Sequence, residues 1–446
     1  MNAPEDLLAF LRIPSISTDP AYASETRRCA EFTRDRLTEA GLENAQLIES
    51  EGHHPLVYAD WLHTKEGPTL LLYGHYDVQP PDPLEEWLSP PFEPTVRGQN
   101  LYARGVADDK GLVLILIHAV ERLLQRDGRL PVNIRVLIEG EEESGGQHIA
   151  AYVASQPALL QNIDAVVVCD TEMFAPGLPT ICVGLRGLVY GEIHVETARE
   201  DRHSGSYGGA IPNALQAAAE IIAALKDRDG RILIEGFDKK VRPPAPEERA
   251  SWARLPFDEK AYRDEEAKVN ALTGEPGVPI FQRLWARPTL EVHGIRGGFT
   301  GDGAKTVIPA RAVVKISARL VPAQDATEAI EQIAGAVTKA TPKGASAEFK
   351  AIHSGDAWLA DPSHPILQKA AQAMTEIFGN ETVFVRSGGS IPIVGQFQKH
   401  LGGAPCVLLG FGLPDDNLHA PNEKLYLPNF HRGVDAVVRY FETLKA

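Results

Sequence analysis

Four short runs of almost unbroken aliphatic character constrain this chain more than any other feature. They are Thr69–Tyr73 (TLLLY), Val132–Ile138 (VNIRVLI), Ala165–Cys169 (AVVVC) and Cys406–Leu409 (CVLL). A strand with one wet face alternates apolar and polar residues, so runs without alternation belong to a sheet covered on both faces. Helix-period stretches stand between them, notably Leu112–Gln125 behind Gly111, and near the N-terminus Glu25–Glu39, which stops at Gly41. Strands alternating with helices predict an α/β fold whose mixed, mostly parallel sheet is covered by helices.

The middle of the chain has another texture. Leu188–Thr197 alternates like a half-exposed strand, and Pro212–Leu225 follows as an Ala-rich helix. Thr289–His293, Val313–Val321, the helix Ala326–Lys339 and Ala347–Ile352 then complete a strand-helix-strand-strand-helix-strand order, the split βαβ or ferredoxin-like pattern. Between its first helix and second strand, the charged stretch from Asp238 to Pro288 carries Trp252 and Trp285 and reads as a folded insertion. After His353, Ile366–Phe378 is helical and the buried-strand character returns. The expectation is one catalytic domain built from residues 1–185 and 355–446, interrupted by an α+β ferredoxin-like domain at 186–354.

Each buried run leads into residues with chemistry to offer. TLLLY leads to His75 and Asp77, VNIRVLI to Glu141-Glu142-Glu143, AVVVC to Asp170, and CVLL to His419. In a doubly wound sheet the carboxyl ends of the strands share one edge, where ligands bind. Asp108-Asp109, in the loop before the Leu112 helix, can reach that edge. Three adjacent glutamates straight after a buried strand repel one another unless a cation or water neutralises them. Imidazoles and carboxylates without thiolate form a donor set for Zn²⁺, Mn²⁺ or Co²⁺.

Composition removes other classes. Among 446 residues, 44 Lys and Arg stand against 60 Asp and Glu, a net charge of −16. That excludes the basic footprint a nucleic-acid or anionic-membrane partner needs. Cys29, Cys169, Cys182 and Cys406 form no CxxC pair, which speaks against a disulfide framework or a thiolate zinc knuckle. The longest greasy run falls short of a membrane span, and the acidic N-terminus lacks a signal peptide's basic region, so a soluble cytoplasmic protein is expected. Gly298–Thr306 (GFTGDGAKT) misses phosphate-loop spacing because Ala304 separates Gly303 from Lys305. No GxSxG elbow supports a serine hydrolase.

Longer words run through the chain in order. They include Tyr73-Gly74-His75-Tyr76-Asp77-Val78-Gln79-Pro80, Gly105-Val106-Ala107-Asp108-Asp109-Lys110-Gly111, Glu141-Glu142-Glu143-Ser144-Gly145 and Arg202-His203-Ser204-Gly205. Further on stand Ala304-Lys305-Thr306-Val307-Ile308-Pro309, Ser317-Ala318-Arg319-Leu320, Gly388-Gly389-Ser390-Ile391-Pro392 and His419-Ala420-Pro421-Asn422-Glu423. With these words the chain resembles the aminoacylase–carboxypeptidase superfamily of co-catalytic metallopeptidases, within it the branch of carnosinase and the cytosolic non-specific dipeptidase. One departure is Arg97-Gly98, where relatives usually carry an Asp-Gly turn.

The resemblance implies a dipeptidase holding two divalent ions, Zn²⁺ first with Mn²⁺ or Co²⁺ as alternatives. His75 and Asp170 would hold one ion, Glu143 and His419 the other, and Asp108 would bridge them. Asp77 would orient His75, and Glu142 would be the general base. The Asp108–Asp109 peptide is expected to be cis. The ferredoxin-like domain would serve as lid and dimerisation domain, with His203 reaching the oxyanion across a homodimer interface. Thr306, Arg319 and Ser390 would hold the C-terminal carboxylate of a small peptide. Two alternatives stay open: an N-acyl-amino-acid amidohydrolase or glutamate-type carboxypeptidase with the same metal residues, and a non-catalytic metal- or peptide-binding scaffold.

Overall fold

A computed structural model describes residues 2–445. The chain forms two compact units, Met1–Val183 with Ala360–Val385 and Ile391–Ala446, and Gly184–Leu359 with Arg386–Ser390.

In the first unit the four aliphatic runs lie side by side, in the order Asn133–Glu139, Thr69–His75, Ala165–Glu172, Cys406–Gly412, all parallel to their neighbours. Antiparallel strands extend the sheet on both sides. Leu56–Trp61 and then Glu43–Ile48 flank Asn133–Glu139, and Thr180–Leu185 flanks Cys406–Gly412. The parallel strands are buried along nearly their whole length because helices cover the sheet.

The helix Lys110–Asp127 shows how the sequence produces this layer. Eleven of its residues are buried, among them Leu112, Val113, Ile115 and Leu116, and it ends at Gly128 in a left-handed turn. It packs against the strand Thr69–His75 and the long C-terminal helix Leu427–Thr443. A Cβ at Gly74 would lie 2.5 Å from Val113 Cγ2 and 2.6 Å from Asp109 Oδ2, so only glycine allows this approach. The packing sets Asp109 immediately before the helix, beside the end of the Thr69 strand.

The second unit is a four-stranded antiparallel sheet in the order Thr289–Gly297, Arg311–Leu320, Gly187–Glu196, Ser346–Gly355. Helices Ala214–Leu225 and Ala326–Ala340 pack on it, as a ferredoxin-like order requires. Alternation sends Val189, Ile193, Val195, Val314, Ile316 and Ala318 into the core they share with those helices. Arg319, between Ala318 and Leu320, takes the opposite face. The insertion after Asp238 is folded around Trp252 and Trp285, whose rings meet edge to face at 5.1 Å, with Phe281 stacked on Trp285 at 4.4 Å. The loop Arg386–Ser390, which lies in sequence between parts of the first unit, belongs to this one.

Candidate metal centre

The shared carboxyl edge of the parallel strands in the first unit collects the acidic and imidazole groups. His75 and Glu139 are the last residues of adjacent strands and lie in register. Asp170 is near the end of its strand, and the loop after Cys406–Gly412 delivers His419. The peptide between Asp108 and Asp109 is cis.

Asp108 is the centre of the arrangement. Its Oδ1 lies 3.0 Å from His75 Nε2 and its Oδ2 lies 2.8 Å from His419 Nε2, so one carboxylate links two imidazoles. His419 Nε2 is also 3.4 Å from Glu143 Oε2. Donor atoms of Asp108, Glu143 and His419 lie within 4.8 Å of one another, and so do those of His75, Asp109 and Asp170. All five expected ligands thus fall into two adjoining triads joined through Asp108. Asp109 completes the first triad; its Oδ2 accepts the backbone N–H of His75 at 3.1 Å. Sequence reasoning placed Asp109 only in the loop, although adjacency to Asp108 was the available signal.

Asp77 sits behind His75. Its Oδ1 lies 3.4 Å from His75 Nδ1, and its carbonyl oxygen lies 3.1 Å from the same nitrogen. Its carboxylate accepts Ser17 Oγ–H at 2.6 Å and the backbone N–H groups of Glu142 and Glu143 at 3.3 and 3.1 Å. One buried carboxylate therefore lies against an imidazole and ties down the glutamate turn. Glu141 does not join the cluster: His54 N–H donates to it at 2.7 Å, His148 N–H at 3.3 Å, and His53 Nδ1 lies 3.1 Å away. Glu143 accepts from Gln79 Nε2 at 2.7 Å.

The electrostatics are those of a cage for cations. Burial, reinforced by neighbouring carboxylates, pushes the Glu142 carboxyl up to about 8 and the Asp109 carboxyl up to about 8. Asp170 is raised well above the ordinary range for the same reasons. Burial opposes the charged form of Asp108 too, but hydrogen bonds from His419 and His75 outweigh it and lower its pKa. Hydrogen bonds to Asp108 and Glu143 raise His419 to about 10. The buried Glu143 Oε1 and Asp109 Oδ1 have no hydrogen-bond partner among the described residues. Orphaned carboxylate oxygens beside two imidazoles, without thiolates, fit two divalent cations.

In the second unit the expected residues separate into two places. Arg319 Nη1 donates to Ser390 Oγ at 2.8 Å. Thr306 instead adjoins the two-residue strand Val307–Ile308, which pairs with Arg202–His203, so it lies beside His203; its carbonyl accepts from Ser204 N–H at 3.1 Å. His203 Nδ1 accepts the N–H groups of Gly205 and Ser206 at 3.1 and 3.2 Å, which leaves Nε2 as the protonated, donating nitrogen.

Residues 71–443 match the sequence model of Peptidase family M20/M25/M40. The Cys-Gly metallodipeptidase DUG1 of Saccharomyces cerevisiae is 30% identical over 459 residues, covering 98% of this chain and 94% of the relative. The Beta-Ala-His dipeptidase of Homo sapiens is 31% identical over 440 residues, covering 96% and 86%. Among solved structures, the M20 family metallo-carboxypeptidase Sso-CP2 of Sulfolobus solfataricus superimposes with a TM-score of 0.89 at 31% identity, covering 99% of each chain. The structure of Dug1p, the di-peptidase of Saccharomyces cerevisiae, gives 0.84 at 29% identity, covering 99% of this chain and 95% of that one.

Proposed function

This chain belongs to peptidase family M20/M25/M40, and from that premise we propose that it is a two-metal dipeptidase cleaving small peptides with a free C-terminal carboxylate. The observation that carries the reading is Asp108, whose two oxygens face His75 and His419 at 3.0 and 2.8 Å beside the half-buried Glu142. His75 and Asp170 would hold one ion, Glu143 and His419 the other, with Asp108 shared and Asp109 at hand. Bound there, two divalent ions, Zn²⁺ first with Mn²⁺ or Co²⁺ as alternatives, supply Lewis acidity toward the scissile carbonyl and lower the pKa of water.

The chain's own groups do the rest. Glu142 takes the proton of the attacking water and returns it to the leaving nitrogen. Asp77 holds His75 by its Nδ1 side and keeps the Glu142–Glu143 turn in place. His203, with its Nε2–H free to donate, stabilises the oxyanion from the other subunit of a homodimer. Arg319 and Ser390 receive the terminal carboxylate, for which a guanidinium fork is well shaped, and Thr306, which lies beside His203 and apart from these two, reaches that carboxylate together with His203 from the other subunit. The buried thiols Cys29, Cys169 and Cys406 suit a reducing compartment, and the cytoplasm is the proposed location. Among the described residues no helix is long and apolar enough to cross a membrane.

The dipeptidase reading draws support from the activities by which two relatives, aligned along most of the chain, are named. A panel of free dipeptides and N-acetylated amino acids, each assayed with Zn²⁺, Mn²⁺ and Co²⁺, tests it. Turnover of the dipeptides is expected, and preference for the N-acetyl compounds would move the assignment to an amidohydrolase. Light scattering with and without a tight inhibitor tests the dimer.

A further inference from the structure

Arg186 makes contacts in the second unit that none of the proposed roles uses. Its backbone N–H donates to Gly389 O at 3.0 Å, and its Nε–H donates to Gly388 O at 2.9 Å. Its own carbonyl accepts the Ser390 hydroxyl. One residue thus engages three consecutive residues of the Arg386–Ser390 loop. The other end of that loop is held separately, by a two-pronged ion pair of Arg386 with Glu248 at 2.7 Å for each bond, over the face of Trp252.

The hydroxyl of Ser390 has a single proton. Because that proton goes to the Arg186 carbonyl, the oxygen lone pairs are left for Arg319 Nη1, which donates at 2.8 Å. The orientation of Ser390 toward Arg319 is therefore set by the main-chain carbonyl at position 186, while the Arg186 side chain holds the neighbouring Gly388 through its Nε–H.

Charge points the same way. Neither Arg186 nor Arg319 forms an ion pair among the described residues; the charge of Glu291 reaches Arg186, but Glu291 is itself paired with Lys226 at 3.0 Å. The buried Nη1 of Arg186 has no hydrogen-bond partner among the described residues. Burial and the neighbouring Arg319 lower Arg186 to about 10. Two guanidinium groups kept together at this cost await an anion.

We propose that the Arg186 side chain is a positioning group of the carboxylate seat: its Nε–H fixes Gly388 in the loop that carries Ser390, and its guanidinium adds the second positive charge by which the seat selects a free carboxylate over its amide. The inference rests on the assignment of Arg319 and Ser390 to the substrate carboxylate. Lysine would keep the charge but lose the directed Nε–H to Gly388. A Cβ at Gly388 would lie 3.1 Å from Arg186 Nη2, so Gly388→Ala disturbs the same guanidinium from the other side.

The test uses the metal-loaded, full-length Glu142→Gln protein, titrated calorimetrically with glycylglycine and with glycylglycinamide. Adding Arg186→Met is expected to weaken the free acid by about tenfold or more and to leave the amide within about twofold, the pattern of a lost charge contact. Arg186→Lys should fall between, and Gly388→Ala should shift the acid in the same direction. In the Glu142 enzyme Arg186→Met should raise KM with kcat nearly unchanged. Equal weakening of acid and amide, or no weakening of either, overturns the proposal. If Arg186→Met does not fold, the Lys and Gly388→Ala proteins decide by the same acid-to-amide ratio. An unsubstituted enzyme that hydrolyses no dipeptide, while the titrations still separate acid from amide through Arg186, would remove the dipeptidase reading and leave this inference standing.

Discussion

Glu423 accepts the backbone N–H of Asp108 at 3.1 Å, although 315 residues separate them. The same buried carboxylate accepts from Ala107 N at 2.9 Å, Gly105 N at 2.8 Å and Arg104 Nη1 at 2.7 Å. It therefore clamps the loop that carries the central carboxylate to the segment that carries His419. Glu423→Ala would leave the Arg104 guanidinium without its carboxylate, and three amides unpaired, in the interior. The expected cost is about 3–5 kcal/mol in denaturant unfolding, with loss of bound metal by elemental analysis. Full metal content and unchanged stability would show that the clamp is dispensable.

Glu142→Gln preserves the shape of the turn held by Asp77 while removing the basic oxygen. Turnover should fall by roughly two decades or more, with both metal equivalents retained. Undiminished kcat would take Glu142 out of the proton transfer.

Replacing Arg319 by Lys removes the planar fork but keeps its charge. On free dipeptides KM should rise about tenfold while kcat changes little, because the lost contact serves binding. A fall in kcat at constant KM would place Arg319 elsewhere in the reaction.

Acid stability should depend on Asp6. Burial raises its carboxyl, but the hydrogen bond and charge of His118, at 2.7 Å, and the charge of Arg36, at 2.9 Å, lower it overall. A carboxyl whose folded pKa is depressed contributes stability that is present above its unfolded value of about 3.9 and lost as pH falls through the folded one. Asp6→Asn should lose on the order of 1 kcal/mol at pH 7, given the partial exposure of the group. The difference from the unsubstituted protein should shrink below about pH 4. Thermal melts from pH 3 to 7 measure it, and a difference that does not vary with pH would rule the mechanism out.

Gly74→Ala places a methyl 2.6 Å from Asp109 Oδ2 and 2.5 Å from Val113 Cγ2. Overpacking of this kind costs about 1–3 kcal/mol. The displaced Asp109 should also weaken metal retention during dialysis against a chelator, more than an equally destabilising substitution remote from the strand end.

The parts of the fold legible in the residues were those with strong local periodicity. Thr69–His75, Ala165–Glu172 and the helix Lys110–Asp127 announce themselves because each carries a long unbroken buried run. The flanking strand Glu43–Ile48 escaped because an edge with one wet side needs little apolar character. Leu56–Trp61 is fully buried, yet carries Asp60, which is satisfied by Tyr58 Oη–H at 2.8 Å and Asn44 at 2.8 Å. The helix Leu427–Thr443 was hidden by Pro428 at its start and by its charged outer face.

The sequence by itself settled which residue types end each buried strand, since hydrophobic runs and the residues just beyond them are local facts. Hydrophobic patterning alone could not say which of several adjacent acids turns inward; only the resemblance singled out Glu143 and Asp108. Glu141 faces His53, His54 and His148 while Glu143 faces His419, and Asp109 lies with His75 and Asp170 while Asp108 spans both imidazoles. Neighbouring side chains leave the backbone in different directions, and hydrogen-bond partners far away in sequence choose between them. Only the tertiary structure brings Glu423 to Asp108 and the Arg386–Ser390 loop to Arg186, because such long-range closures leave no periodic trace in the chain.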